Sequence, residues 1–170
     1  FEHLASYISS PGVDASAIAT HFSENAWRKP TLMPGAEKCL RDLRRAGLPL
    51  GIVTNGGAFN QRKKLASTGL DGLVDHVVIS EEFGAKKPAP SIFLAACKEL
   101  NIDPSRSWFV GDNPTVDIVG ANAFGLRTVW LKRSIVWPAD RPACYTCAVD
   151  SLEDAVDAML DDARHGDFGE

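Results

Sequence analysis

Apolar positions recur along this chain in two alternating rhythms. Ala36, Cys39, Leu40, Leu43 and Ala46 fall at helical spacing, with Pro34 near the start of that segment and Gly47 just past its end. Leu50 to Thr54 then reads as a strand buried on both faces, and Asn55-Gly56-Gly57 turns it into a second helix ending at Gly69. Val74 to Ile79 repeats the strand signal, and Pro90 opens a helix whose buried stripe is Phe93, Ala96, Cys97 and Leu100. Trp108 to Gly111 predicts a third strand, Val116 to Ala123 a short helix closed by Gly125, and Arg127 to Leu131 a fourth strand. A loop holding Trp137-Pro138 and Arg141-Pro142 leads to a last helix. It starts at Ser151, has Asp154 placed for a capping box, and carries Leu152, Ala155, Val156, Met159 and Leu160 on one face. Parallel neighbours need a crossover connection, so this alternation predicts an α/β fold, a parallel sheet with helices on both faces.

The first thirty residues break the rhythm. They hold two short helical patterns, Leu4 with Ile8 and Ile18 with Phe22, split by Pro11-Gly12, and no strand accompanies them. At 170 residues and 45% hydrophobic, the chain is long enough to bury one sizeable core. A net charge of −4 gives no basic footprint, which argues against nucleic acid or an anionic membrane as principal partner. No apolar stretch has the length of a membrane span, and Phe1-Glu-His-Leu lacks the basic start and apolar run of a secretory signal. The expected compartment is the cytoplasm.

The cysteines add little. Cys39 and Cys97 sit on apolar helix stripes, where a thiol behaves as a small hydrophobe. Cys144-Tyr-Thr-Cys147 has the spacing of half a zinc site or a redox pair, but no second ligand pair accompanies it. His3, His21, His76 and His165 stand apart, with no triad pattern. Arg62-Lys63-Lys64 reads as a solvated helix face, and Trp27, Trp130 and Trp137 leave open packing beneath a cap or at a homodimer contact.

Chemistry-bearing residues cluster at strand ends. Asp112 and Asp117 share the loop after the third strand, and two carboxylates close together repel unless a cation or proton lies between them. Magnesium takes such oxygen ligands, although taken alone Asp112 reads more readily as a helix cap and Asp117 as solvated. Thr54 and the amides of Asn55 and Gly56 stand where a strand opens into a helix, a place that accepts anions, or else a simple tight turn. Lys87, held extended before Pro88, brings an ammonium suited to a phosphate. In an open parallel sheet, strand ends converge on one crevice.

Three stretches, in this order, carry a family resemblance. Leu32-Met-Pro-Gly-Ala36 leading to Gly51-Ile-Val-Thr-Asn-Gly56, then Gly84-Ala-Lys-Lys87-Pro-Ala-Pro-Ser-Ile-Phe93, then Trp108-Phe-Val-Gly-Asp112-Asn-Pro-Thr-Val-Asp117 resemble the second, third and fourth motifs of the haloacid dehalogenase-like (HAD) hydrolase superfamily. The subgroup is the one with a helical cap inserted after the first strand. The resemblance implies a three-layer Rossmann-like core over residues 31–170 and a partial helical cap over residues 1–30. It implies that Thr54 holds a transferring phosphoryl group, that Lys87 neutralises it, that Asp112 ligates Mg2+, and that Asp117 ligates or orients the metal. Asn55, Gly56 and Asn113 would line the site, and Lys86 is the weaker lysine because the family lysine directly precedes proline. The implied activity is magnesium-dependent hydrolysis of a small phosphorylated metabolite, with a dehalogenase or a non-catalytic binding protein as alternatives.

One part of the family pattern has no counterpart. Family members begin with a strand ending in Asp-x-Asp, whose first carboxylate attacks phosphorus and whose second serves as acid and base. Nothing of that kind precedes Thr54. The expectation is therefore a core lacking its central first strand, inactive alone, with that strand cleaved, disordered, or supplied by the rest of a longer protein or by another copy.

Overall fold

A computed structural model describes residues 30–165. The cap expected over residues 1–30, with Leu4, Ile8, Ile18, Phe22 and Trp27, lies outside the described residues but for Pro30, as do His3 and His21. Five strands are present among the described residues: β1 (Gly51–Thr54), β2 (His76–Ile79), β3 (Trp108–Gly111), β4 (Arg127–Leu131) and β5 (Cys147–Val149). The helices are α1 (Ala36–Arg45), α2 (Ala58–Thr68), α3 (Ser80–Phe83), α4 (Pro90–Leu100), α5 (Gly120–Phe124) and α6 (Leu152–His165). All strand pairing is parallel, as the alternation predicts.

Local sequence explains the element ends. In α1, Cys39 and Leu43 lie four residues apart on the buried stripe, Glu37 sits in the first turn, and Arg44 and Arg45 sit in the last, in keeping with the helix dipole. Pro90 begins α4, and Asn101 ends it in the left-handed region at φ 52°. The hydroxyl of Ser151 accepts from the Asp154 amide at 3.0 Å, the predicted cap of α6. The helix foreseen from Val116 is instead a π-helical stretch, Pro114–Val119, running into α5. β5 and the single turn of α3 have too few apolar positions to announce themselves and are not foreseen.

The strands form two parallel sheets rather than one. β1 pairs with β2, and β3 pairs with β4, which pairs with β5. Between β1 and β3 lies a cavity of about 930 Å³, lined by Ile52 and Val53 on one side and Trp108, Phe109 and Val110 on the other. This gap corrects one expectation: β1 is not buried on both faces, since Gly51 is exposed and Ile52 to Thr54 are half-buried. β3, on the other side, is half-buried throughout, whereas Thr128 to Leu131 of β4 are buried. The strands that flank the gap lose cover along their facing edges. Among the described residues those edges have no strand partner.

Helices cover both faces of the two sheets and hold them together. Ile52, Val77 and Val110 pack with Cys39 and Leu43 of α1 and Ala155, Val156 and Met159 of α6. Val53, Val78 and Phe109, one residue along and hence on the opposite face, pack with Ile92, Phe93 and Cys97 of α4 and Ala121 of α5. Phe93 anchors this second layer, edge-on to Phe109 and stacked with Phe124. Burial pushes the Cys39, Cys97 and Cys147 thiols up, so they stay protonated and inert at neutral pH. Trp130 is buried, and it packs with Trp137 and Tyr145 of the following loop. That cluster is internal to the chain.

Candidate active site

Because β1 and β2 run parallel with Thr54 opposite Ile79, the residues just beyond both strands lie side by side. The same holds for β3 and β4, with Gly111 opposite Trp130. Lys87 joins the two sheets across the mouth of the gap. Its Nζ donates to the carbonyl of Val53 in β1 at 2.8 Å and forms an ion pair with Asp117 Oδ1, beyond β3, at 2.7 Å. It also stands 5.3 Å from the centre of the Phe109 ring. The lysine and aspartate side chains are only 11% and 10% exposed, so the pair is a buried one.

The loops around this pair are held by side chains. Asn55 Nδ2 donates to the Lys87 carbonyl at 3.0 Å, and Asn55 Oδ1 accepts from the Lys87 amide at 2.8 Å, a reciprocal clamp that positions the lysine. Asp117 Oδ2 accepts from the Asn113 amide at 3.1 Å. Asn113 Oδ1 in turn accepts from the amides of Thr115 and Val116, capping the π-helical stretch. Asn55 and Asn113, read as lining residues, thus spend their side chains on backbone. Gly56 departs from expectation: its amide, foreseen as an anion donor, donates to Ser80 Oγ at 3.0 Å because the turn after β2 lies alongside.

Thr54 and Asp112 are the two predicted residues left open. Both are half-buried at the ends of β1 and β3, and no hydrogen bond or ion pair within the described residues engages either side chain. Lys86, the lysine set aside, is exposed. Glycine at 111 is required by the approach of Asp117, since an added Cβ would lie 2.5 Å from Asp117 Cβ and 2.8 Å from its Cγ. Gly111→Ala should therefore displace Asp117 and lower stability by about 1–3 kcal/mol. Denaturant midpoints of the two proteins measure this, and an unchanged midpoint would contradict the packing described.

The donor set suits a hard cation in part. Asp112 offers free carboxylate oxygens, while those of Asp117 are already engaged by Lys87 and the Asn113 amide. No group of three His, Cys, Asp or Glu side chains able to hold a metal occurs among the described residues. Magnesium nevertheless fits such a site, because it is held by one or two carboxylates and keeps water and substrate oxygens as its other ligands.

Sequence reading missed the residues that fix the loop after β1. Besides Ser80, Glu81 Oε2 accepts from the Ala58 amide at 2.7 Å, and Gln61 Nε2 donates to the Asn55 carbonyl at 3.2 Å. The available signal was positional: polar residues directly after β2 must neighbour the turn after its parallel partner. Arg62 is tied to Glu82 at 2.6 Å, consistent with a charged outer face. His76 Nδ1 lies 3.8 Å from the Glu99 carboxylate, and Cys144 and Cys147 are free thiols. No helix among the described residues is long and apolar enough to cross a membrane.

Comparison with known proteins adds four findings. The sequence pattern of one hydrolase family, haloacid dehalogenase-like hydrolase, matches residues 4–125. The chain is 41% identical over 120 residues to the glyceraldehyde 3-phosphate phosphatase of Pyrococcus abyssi, covering 71% of this chain and 50% of that protein. It is 40% identical over 121 residues to the phosphoserine phosphatase of Thermus thermophilus, covering 71% of this chain and 48% of that protein. The crystal structure of an L-2-haloacid dehalogenase superposes with a TM-score of 0.78 at 26% identity, over 94% of this chain and 68% of that one. The chain spans about half the length of the curated relatives it matches.

Proposed function

The chain belongs to the haloacid dehalogenase-like hydrolases, and from that premise we propose that the protein is a magnesium-dependent phosphatase of small phosphorylated metabolites. The observation that carries this reading is the Lys87 ammonium, held between β1 and Asp117 with the open side chains of Thr54 and Asp112 on the strands it joins. A buried cation beside a free carboxylate and a free hydroxyl suits a phosphoryl group and its counter-ion. Relatives named as phosphatases at about 40% identity favour phosphate esters over haloacids as substrates.

In this reading the Thr54 hydroxyl donates to a phosphoryl oxygen and Lys87 neutralises the charge gathered there. Asp112 holds Mg2+, which when bound supplies a Lewis acid to the phosphoryl oxygens. Asp117 acts through Lys87 and the Asn113 amide, holding the lysine side chain in place. The gap between β1 and β3 takes one further strand, whose backbone satisfies the facing edges and whose end brings the Asp-x-Asp pair that the family resemblance implies. There the first carboxylate attacks phosphorus, the ester P–O bond breaks, and the leaving alkoxide takes a proton from the second. Water then hydrolyses the aspartyl-phosphate. Free thiols and a metabolite substrate are in keeping with a cytoplasmic location.

The test is hydrolysis of a panel of sugar phosphates, phosphoglycolate, phosphoserine and nucleoside monophosphates by the full-length protein. Activity is expected with magnesium, and chelation should remove it, about 100-fold or more. Equal turnover after chelation would exclude the metal. Absence of any phosphate release would favour the non-catalytic alternative, and halide release from 2-haloacids the dehalogenase.

A further inference from the structure

Past the end of β4 the chain stays beside β5 for one more residue, the Lys132 amide donating to the Val149 carbonyl at 2.8 Å, and then presents Arg133. Ile52, Val110 and Val129 pack on the side of α1 and α6, and side chains alternate along a strand, so Thr54, Asp112 and Arg133 continue onto that same side. One contact bears this out for the arginine: its Nη1 donates to Sδ of Met33 at 3.4 Å, in the turn that opens α1. By the register that sets Gly111 opposite Trp130, Arg133 stands one strand across from Asp112 and two residues farther out, roughly 8 Å between Cα atoms by ordinary strand spacing and rise. Arg133 therefore lies on the rim above the open side chains of Thr54 and Asp112.

Its guanidinium is under-used. A planar fork of five N–H donors meets, among the described residues, only a thioether sulfur, a weak acceptor. Arg41, Arg44, Arg45, Arg62 and Arg127 each pair with a carboxylate, and the neighbouring Lys132 pairs with Asp150 at 2.7 Å, so an unmatched fork is not the habit of this surface. We propose that Arg133 is a specificity residue that receives a second anionic group of the substrate, a carboxylate or a second phosphate, while the scissile phosphate lies at Thr54, Lys87 and Asp112. The substrate class is then a short phosphate monoester with an anion at its far end. The inference rests on the phosphatase reading above for the place of the scissile phosphate. Met33 holds the fork near its working position, and an anionic oxygen displaces the sulfur because charge-assisted hydrogen bonds are the stronger.

The experiment uses the full-length protein, Arg133→Ala and Arg133→Lys, with kcat/KM measured on two matched pairs: 3-phosphoglycerate against glycerol 3-phosphate, and ribulose 1,5-bisphosphate against ribulose 5-phosphate. The parent is expected to prefer the member with the second anion in at least one pair, and the pair identifies that anion as carboxylate or phosphate. Arg133→Ala should cut the preference about 10-fold or more, because a charge-assisted contact is lost. Arg133→Lys keeps the charge without the fork and should retain part of it. Loosening of the fold lowers both members of a pair alike and leaves their ratio where it was. A parent with no preference in either pair, or a preference that survives Arg133→Ala, overturns the proposal and leaves the phosphatase reading standing. Calorimetric titration of the same four compounds without magnesium covers a parent that hydrolyses no ester. A binding preference that Arg133→Ala removes then keeps this inference and sinks the phosphatase reading, and equal binding within both pairs sinks the two together.

Discussion

Lys87→Met should lower stability by about 3–5 kcal/mol and abolish phosphate-ester hydrolysis. The large stability effect follows from burial. The Asp117 carboxylate is 10% exposed and keeps only the Asn113 amide once the ammonium is gone, so a charge is left in a poorly solvated place. Methionine fills the stem of the lysine but cannot donate to the Val53 carbonyl, which removes the tie between the sheets. Chemical denaturation of the full-length protein reads the loss directly. Adding Asp117→Asn to Lys87→Met removes the orphaned charge and should recover part of it. A change under about 1 kcal/mol for Lys87→Met would mean that the pair is solvated in solution, and the site would have to be redrawn.

Asp112→Asn should do the opposite, leaving the fold intact and removing the chemistry. No partner among the described residues depends on the Asp112 carboxylate, so its neutralisation should move stability by no more than about 0.5 kcal/mol. The same change takes the charged ligand from the metal and should lower kcat/KM at fixed magnesium by about 100-fold or more. Raising the magnesium concentration should restore part of the activity, since asparagine still offers a carbonyl oxygen. Full activity at low magnesium would place the cation elsewhere. Together the two variants separate the roles of neighbouring charges: Lys87 and Asp117 build the site while serving it, and Asp112 serves it without building it.

The legibility of these residues in the sequence follows the same division. Asp112 stands out because a carboxylate directly follows an apolar strand run, which in a parallel sheet brings it to the crevice at the strand ends, and Lys87 because it directly precedes Pro88 in the loop beyond β2. Ser80 and Glu81 also follow a strand. Their polar character there is ordinary for a turn, so only their position after the parallel partner strand pointed to Gly56 and Ala58. Asn55 and Asn113 were seen as residues of the site, but their side chains hold backbone, because asparagine readily satisfies main-chain groups in turns and caps.

The sequence by itself determined the alternation of strand and helix, the parallel pairing, the alternate facing of residues such as Ile52 and Val53, and the order of the three motifs. Those properties depend on local periodicity and on the reach of short connections. Only the tertiary structure decided that Lys87 pairs with Asp117, that Asn55 clamps the Lys87 backbone 32 residues away, that Glu81 accepts from the Ala58 amide at the start of α2, and that β1 and β3 stand apart half-buried beside a gap. Each of these is set by which distant groups reach hydrogen-bonding distance once the helices have packed on both faces, and no pattern of neighbours along the chain encodes that distance.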